Sequence, residues 1–428
     1  MSAIVGGLTD DGCGVVRVDN KVVFVAGALP GEEIIFRIRK RRRHYDQGIL
    51  VEILKPSAQR VRPPCEYFGV CGGCGLQHLA PAAQVEAKEQ ILREQFNKFG
   101  RCKPENWLPP LTGDSLHYRR KARLGVKHVF KKGTVLVGFR ERSSSFIADI
   151  RSCQTLDQRF SSLLPELRKL VMSLSCHQQL PQIEVAAGDE QIALVFRHLV
   201  ALTAEDRQRL SDFGQRHQAQ IHTQSKGPDT VTVLWPAQPQ ALSYHLPEFD
   251  LEMCFRATDF IQVNADMNRR MVSLAVELMQ LQPGDRVLDL FCGLGNFTLP
   301  LARKADRVTG VEASAGLLEQ ARANAVHNGV GNTEFRQADL YAEDTADWRH
   351  IEFNKLLLDP PRYGALQVVR NLAKNRPERI VYVSCNPVTL ARDAEHLVNR
   401  EGYRLIQAGV MDMFPHTNHV ESIALFAR

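Results

Sequence analysis

The sequence has no long apolar run: no stretch approaches the roughly 18 apolar residues that a membrane-spanning helix needs. It also lacks a basic segment followed by an apolar stretch at its start, which is the pattern of a secretory signal, and it shows no internal repeat and no low-complexity segment. These absences argue against a membrane protein and a small secreted disulfide scaffold. We therefore expect a cytoplasmic protein whose ten cysteines are reduced or bound to metal.

The composition is that of an ordinary globular protein of 428 residues, 44% hydrophobic and 24% charged. At about 150 residues per domain, this length predicts two to three domains. The net charge of +6 is unevenly placed, since residues 117–142 contain nine basic side chains and one acidic side chain. Residues 1–62 also have a basic excess. Local basic surfaces on an otherwise mildly acidic chain indicate a polyanionic partner such as nucleic acid.

The first 55 residues read as short β-strands. GVVRV and KVVFV flank Asp19-Asn20, which is typical of a tight hairpin. Four or five such strands suit a small OB-like barrel. Six cations lie between Arg37 and Arg43 at the end of one strand. They could form a solvated charged turn, but beside such a barrel they favour a surface that binds nucleic acid. The segment 117–123 is a second candidate for such a surface.

The middle of the chain begins with a proline-rich linker after residue 55. Residues 81–96 predict an amphipathic helix, with Gly100 as its stop. Several strand-like runs between residues 115 and 255 predict a central antiparallel sheet. We expect three domains: an RNA-binding barrel over 1–55, a central α+β domain over 56–258, and a catalytic domain over 259–428.

From about residue 260 the pattern alternates between apolar strands and amphipathic helices. This order indicates an α/β domain with a Rossmann-like, doubly wound parallel sheet. The last two strand-like runs have no helix between them, so they predict an antiparallel hairpin at the sheet edge. Five runs account for the parallel strands: 285–291, 306–312, 332–339, 354–359 and 378–385.

A glycine-containing loop follows the first of these strands. The fragment DLFCGLG (289–295) stands between a strand and a helix, and Thr298 occupies the position of the third glycine in a dinucleotide fingerprint. The pattern is instead that of S-adenosylmethionine methyltransferases. Glu312 ends the next strand, where a carboxylate can accept ribose hydroxyls, and Asp339 ends the third. A structural turn without a ligand is the alternative.

Two further strand ends carry reactive residues. The fourth strand ends in Asp359-Pro-Pro-Arg and the fifth in Ser-Cys385-Asn-Pro. Because ligands of doubly wound sheets lie at the carboxyl ends of the strands, Cys385 is predicted to face the cofactor crevice. An isolated cysteine is more often a small buried apolar residue, but a strand end followed by asparagine and proline favours a nucleophile.

Glu421 starts the last strand and is either an exposed carboxylate or a base at the crevice. A thiolate with a nearby base suits methylation at carbon 5 of uracil, which is a poor nucleophile by itself. Thiolate addition to carbon 6 activates carbon 5 toward a sulfonium-bound methyl group, and a base must then remove the hydrogen at carbon 5. Cys385 and Glu421 are therefore the predicted nucleophile and base.

Five motifs, in this order, resemble those of the RNA uracil-C5 methyltransferases: FIQVN (260–264), DLFCGLGNFTLP (289–300), LLLDPPR (356–362), VSCNP (383–387) and HVES (419–422). The resemblance implies an S-adenosylmethionine methyltransferase domain behind a TRAM-like barrel, with 23S ribosomal RNA as partner and uridine 1939 as target. We expect a monomer. The resemblance also implies that Cys385 is the nucleophile and Glu421 the base. It implies a pocket for cofactor or target base lined by Gln262, Phe291, Asn296, Glu312, Asp339 and Asp359.

A cysteine cluster precedes the predicted helix. Cys65, Cys71 and Cys74 lie within ten residues, and the glycines between them allow a tight loop. A fourth ligand would be Cys102 or Cys153, and four thiolates suit zinc as well as an iron–sulfur cluster. The resemblance implies a [4Fe–4S] cluster on Cys65, Cys71, Cys74 and Cys153. Because the methylation needs no electron transfer, we hypothesise a structural or RNA-docking role.

Two alternatives remain from the residues. Asp359-Pro-Pro-Arg is similar to the loop that holds an exocyclic amine in amino-group methyltransferases, which need no cysteine nucleophile. A noncatalytic, metal-bound RNA-binding protein would not bind S-adenosylmethionine at all.

Overall fold

A computed structural model describes residues 1–9, 11–142, 144–342, 346–372 and 376–428. The strands are β1 (Ser2–Ile4), β2 (Gly7–Leu8), β3 (Cys13–Val18), β4 (Lys21–Ala26), β5 (Glu33–Arg41), β6 (Tyr45–Lys55), β7 (Asn106–Trp107), β8 (Lys121–Val129), β9 (Thr134–Gly138), β10 (Gln182–Ala187), β11 (Ile192–Arg197), β12 (Ala219–Gln224), β13 (Val231–Trp235), β14 (Leu242–Leu246), β15 (Leu251–Phe255), β16 (Arg286–Leu290), β17 (Arg307–Glu312), β18 (Thr333–Gln337), β19 (Lys355–Leu358), β20 (Arg379–Ser384), β21 (Arg404–Met411) and β22 (Glu421–Ala427). The helices are α1 (Pro81–Gln95), α2 (Gln158–Ser161), α3 (Leu164–Ser173), α4 (Ala204–His217), α5 (Ala265–Met279), α6 (Thr298–Ala302), α7 (Ala315–His327), α8 (Leu366–Arg370) and α9 (Pro387–Asn399).

The N-terminal unit is a six-stranded sheet with the order β1-β5-β6-β4-β3-β2. Asp19 and Asn20 have φ values of 48° and 64°, so the predicted tight hairpin between β3 and β4 is confirmed. Alternate residues of the strands, such as Val23, Val25 and Phe36, form its small apolar core. This β-rich unit fits the expected barrel.

The central sheet has the order β13-β12-β11-β10-β8-β9. The prediction of an antiparallel sheet is wrong for one pair, because β11 and β12 are parallel. Helix α4 connects these two strands, and a helical crossover returns the chain in the same direction. The capping box of Thr203 and Asp206 that starts α4 was a sequence signal for this helix.

The third large sheet has the order β18-β17-β16-β19-β20-β22-β21-β7. Its first five strands are parallel, as predicted, and the order reverses between β16 and β19, which is where doubly wound sheets bind ligands. The C-terminal hairpin of β21 and β22 is confirmed. It is not the edge, because the two-residue strand β7 pairs with β21.

Segments before residue 259 pack on this sheet. The hairpin of β14 and β15 contributes Tyr244 and Phe255 to the same apolar core as α5. Helix α1 continues as a π-helical turn that ends at Gly100, the predicted stop, and Leu92 and Phe96 share a core with α9. The boundary at residue 258 stays a prediction. Within the described residues, no helix combines the length and apolarity needed to cross a membrane.

Candidate functional site

The end of β16 and the loop after it lie at the carboxyl ends of the parallel strands, where this fold places the predicted cofactor crevice. Asp289 is completely buried, accepts a hydrogen bond from the Thr298 hydroxyl at 2.5 Å, and has no partner for its Oδ1 atom among the described residues. Burial, with smaller contributions from the charges of Asp359 and Glu312, raises the pKa of Asp289 to about 8. This crevice therefore has a concentration of carboxylates that would favour a cationic ligand.

The same loop needs unusual backbone conformations. Gly295 has a φ of +93°, and a Cβ there would lie 2.6 Å from Leu299, so only glycine fits. Phe291 adopts a φ of +67° although it is not glycine. Its ring is thereby turned toward Tyr341, with the two centroids 5.7 Å apart. The turn presents an aromatic wall beside the glycine loop.

The next two strands carry carboxylates at or just after their carboxyl ends. Glu312, at the end of β17, accepts hydrogen bonds from the backbone amides of Gly293 at 3.3 Å and Ser314 at 2.9 Å. Asp339, two residues after β18, accepts one from the amide of Tyr341 at 2.9 Å. These amides fix the orientation of both carboxylates.

Asn296 is already engaged by other protein side chains. Its Oδ1 atom accepts from the Tyr244 hydroxyl at 2.8 Å and from Asn268 at 3.0 Å, and its amide nitrogen donates to Asn268 at 2.9 Å. Arg120 lies over the Tyr244 ring and donates to the carbonyl of Gln262 at 2.9 Å. This network joins the FIQVN segment to the glycine loop. The sequence did not indicate Arg120 or Tyr244 as part of it.

Cys385, Asp359 and Glu421 come together at the ends of three neighbouring strands. Ser384 on β20 pairs with Ser422 on β22, so one further register step sets Cys385 opposite Glu421. Residues facing each other in this way have Cβ atoms about 5 Å apart. Asp359 follows β19, the other neighbour of β20.

The electrostatics of these three groups are strongly coupled. Burial, and then the charges of Glu421 and Asp359, raise the pKa of Cys385 to about 12, although Arg362 opposes this shift. Burial, followed by the charge of Asp359, raises the pKa of Glu421 well above its usual value. Burial raises the pKa of Asp359 to about 7. Positive charge brought into the crevice would lower all three pKa values.

A pocket of about 150 Å³ opens beside the Cys385 thiol. Its walls include Arg362 and His419, whose side chains contact each other at 3.1 Å. Burial, and then the charge of Arg362, lower the pKa of His419, so its imidazole is neutral near pH 7. Gln95 and Asn418 also line the pocket, and their side-chain oxygens have no hydrogen-bond partner among the described residues. The motifs DPPR and HVES contained Arg362 and His419, but nothing in the sequence indicated Gln95.

The cysteine cluster lines a separate cavity of about 190 Å³. Burial raises the pKa of Cys65 and Cys71, and it raises that of Cys74 to about 11. Cys153 lines the same cavity, whereas the other candidate ligand, Cys102, packs against the core around α9. The structure thus places the four predicted cysteines around one space.

No three of these four sulfurs lie within 4.8 Å of one another. Thiolates around one zinc ion, bound at about 2.3 Å, lie about 3.8 Å from one another. Across the described ranges, three metal-binding atoms lie within 4.8 Å of one another only in the group of Glu252, Cys254 and His327. The 2.9 Å ion pair between Glu252 and His327 accounts for much of that proximity.

The two predicted basic surfaces have different outcomes. The cations from Arg37 to Arg43 are exposed at the end of β5 and in the following turn. The segment 117–123 is a surface only in part, since His117 and Arg123 are exposed whereas Tyr118 and Arg120 are buried. Arg120 is buried over Tyr244, and Lys121 donates to backbone carbonyls and pairs with Glu184 at 3.4 Å.

Comparison with known proteins gives consistent similarities. The family described as tRNA (Uracil-5-)-methyltransferase matches residues 80–428. A relative from Nitrosococcus oceani, 23S rRNA (uracil(1939)-C(5))-methyltransferase RlmD, is 54% identical over 99% of this chain and 95% of its own length. The protein of the same name from Alkalilimnicola ehrlichii is 51% identical, over 99% of this chain and 95% of its own length.

A solved structure has a similar fold over the whole chain. The Pyrococcus abyssi tRNA (uracil-54, C5)-methyltransferase in complex with S-adenosyl-L-homocysteine superimposes with a TM-score of 0.77, covers 100% of both chains, and is 24% identical.

Proposed function

The chain belongs to the tRNA (Uracil-5-)-methyltransferase family, and from this premise we propose that it transfers the methyl group of S-adenosylmethionine to carbon 5 of a uridine in 23S ribosomal RNA. The observation that carries the proposal is the juxtaposition of Cys385, which directly follows β20, and Glu421, which begins the paired strand β22. The names of the relatives, at 49–54% identity over nearly the full chain, support uridine 1939 as the target.

The proposed chemistry uses Cys385 and Glu421. The Cys385 thiolate adds to carbon 6 of uracil, and the resulting enolate attacks the sulfonium methyl group from carbon 5, releasing S-adenosylhomocysteine. The Glu421 carboxylate then takes the proton from carbon 5, and the carbon–sulfur bond breaks to regenerate the thiolate. The sulfonium charge favours the ionised thiol, whose pKa is about 12 without it.

The crevice supplies groups for the rest of the methyl donor. We propose that Glu312 accepts the ribose hydroxyls and that Asp339 lies near the adenine, against the Phe291 wall. The positive charge of the bound donor would lower the raised pKa values of Asp289 and Asp359 and so favour their ionised forms. Gln262 and Asn296 would shape the pocket, with Asn296 acting mainly through its bonds to Tyr244 and Asn268.

The covalent step has a direct test. RNA containing 5-fluorouridine at the target should form a complex with the protein that survives denaturation, because fluorine at carbon 5 cannot leave as a proton. The complex should require S-adenosylmethionine for its methylated form and should be absent in Cys385→Ala. An amino-group methyltransferase would methylate this RNA without forming a complex, and a noncatalytic RNA-binding protein would bind no methyl donor.

We also propose that Cys65, Cys71, Cys74 and Cys153 hold a [4Fe–4S] cluster. The convergence of all four cysteines on one cavity of about 190 Å³ supports a metal group bound by thiolates there, and the family resemblance favours the cluster. When bound, the cluster would cross-link the 65–75 loop to the segment that carries Cys153. Anaerobically purified protein should contain about four iron and four sulfide ions, and Cys71→Ser should lose them. Full cluster content and full RNA affinity in Cys71→Ser would contradict the proposal.

The exposed cations of β5 are the proposed RNA contact outside the crevice. Replacing Arg41 and Arg42 together by alanine removes two positive charges and should release fewer counterions on binding. The slope of log K against log salt should become shallower by about 1 to 2. Filter-binding titrations at several salt concentrations measure the slope, and an unchanged slope would place the RNA elsewhere.

A further inference from the structure

The loop between β21 and β22, residues 412–420, leads directly into Glu421 and carries His419 of the nucleophile pocket. Its backbone is held from distant parts of the chain. The His416 carbonyl accepts hydrogen bonds from the amides of Gly75 at 2.9 Å and Leu76 at 3.0 Å, just after Cys74. The Tyr118 hydroxyl donates to the Pro415 carbonyl at 2.9 Å.

Two buried side chains on helix α1 complete this support. Gln84 accepts from the His416 amide at 2.9 Å, and its own amide group lies 3.1 Å from the His416 ring nitrogen Nδ1. Lys88 forms an ion pair with Asp412 at 2.6 Å and donates to the Phe414 carbonyl at 3.0 Å. Both side chains are 1% exposed, so water does not replace these contacts.

The loop needs this support because of its own backbone. His416 has a φ of +64°, a left-handed conformation that a non-glycine residue keeps only when its surroundings fix it. Gln84 contacts both the backbone and the ring of His416. Asn418 packs against Gly75 so closely that a Cβ there would lie 2.5 Å from its Oδ1 atom. The loop is therefore set against α1 and the cysteine loop at several points.

One face of α1 contacts both the loop and the pocket. Gln84, Lys88, Ile91 and Gln95 are spaced four, three and four residues apart, which places them on one side of a helix. The first two hold the 412–420 loop, and the last two line the pocket beside Cys385. The helix thus fixes the loop that leads to Glu421 relative to the wall behind the nucleophile.

We propose that Gln84 and Lys88 are positioning residues for Glu421, so that removing their contacts slows proton removal from carbon 5 more than it slows the earlier steps. This inference rests on the proposed function, in which Glu421 acts only after methyl transfer. If the base is displaced, the methylated uracil should remain bonded to Cys385 for longer. The signature is an accumulated covalent complex on ordinary uridine RNA.

The experiment measures steady-state methylation and the fraction of full-length protein in a denaturation-resistant complex with natural 23S RNA fragments. Gln84→Met keeps the side-chain size but removes the hydrogen bonds. It should lower kcat about tenfold, raise the covalent fraction several-fold and leave KM within about twofold. Gln90→Met, on the exposed side of the same helix, is the matched control and should match the unchanged protein.

Two further variants keep the test decisive. His416→Gly accommodates the left-handed backbone, so the fold is preserved, but it removes the ring contact with Gln84; it should also accumulate complex. Glu421→Gln is the reference for a missing base. If it accumulates complex but Gln84→Met and His416→Gly do not, the positioning inference alone is overturned. If Glu421→Gln accumulates no complex, Glu421 is not the base, and the proposed positioning role of Gln84 and Lys88 is overturned as well.

Discussion

Cys292 and Cys385 each follow a parallel strand of the same sheet, β16 and β20, yet their surroundings differ. Cys292 is buried against the backbone of Gly310, where an added Cβ would lie 2.9 Å from its sulfur. Cys385 is half-buried and opens into a pocket with Arg362 and His419. Burial raises the pKa of both thiols. Access and neighbouring groups, rather than pKa alone, distinguish a nucleophile from a packing residue.

Replacing each cysteine in turn tests most directly whether the two thiols have different roles. Cys385→Ala should lower methylation by at least on the order of 10⁴-fold, because the covalent route is lost. Cys292→Ala should keep activity within about tenfold, since its sulfur only packs beneath the cofactor loop. Transfer of a radiolabelled methyl group to 23S RNA measures both. Comparable losses in the two variants would mean that the crevice uses both sulfurs.

The pH dependence of alkylation also distinguishes the two thiols. With a pKa of about 12 for Cys385, its thiolate fraction and its reaction with iodoacetamide should rise about tenfold per pH unit from pH 7 to 10. An ordinary thiol would level off near its pKa of about 8.5. Cys292 should stay unmodified in the folded protein, and peptide mass spectrometry distinguishes the two sites.

The same alkylation experiment can test whether Asp359 influences the Cys385 thiol. With its pKa at about 7, Asp359 is charged at pH 9 and protonated at pH 6. Asp359→Asn removes a negative charge near Cys385, lowers the thiol pKa and should speed alkylation several-fold at pH 9. The ratio of the two rates should approach one at pH 6. Equal rates at pH 9 would show that the carboxylate does not influence the thiol.

The smallest expected effect is on stability. Cys292→Ala leaves a small cavity in the core and should lower the free energy of unfolding by about 1 kcal/mol. Cys385→Ala, at a half-exposed position, should change it by less than about 0.5 kcal/mol. Urea titrations followed by fluorescence measure both, and a larger loss for Cys385 would assign it a structural role.

The parallel strands of the catalytic sheet could be predicted from the sequence, because each apolar run ends in a distinct polar loop. Cys385 and Asp359 were found for this reason, since strand ends share one edge. The sequence did not predict the pairing of β22 with β20, which brings Glu421 to that edge and is seen only in the structure. The local sequence pattern was sufficient to predict the location of residues at the ends of parallel strands.

Contacts between distant segments could not be predicted in this way. Strand β7 has only two residues, too few for any alternation, yet it pairs with β21. Gln84 and His416 are 332 residues apart, and nothing local to either indicates the other. Charge patterning failed at Arg120 and Lys121 because basic side chains can be buried when carbonyls, rings and carboxylates receive them. Such contacts are determined by the folded structure and not by the local sequence.

The position of helix α1 affects how the protein could be divided into fragments. Although the methyl-donor crevice is built almost wholly from the last 170 residues, the back of its reactive pocket comes from residues 91 and 95. A fragment beginning at residue 259 would have the chemical groups but no rear wall and an untethered turn before Glu421. Complementation from two separately expressed halves would succeed only if they reassociate around that helix.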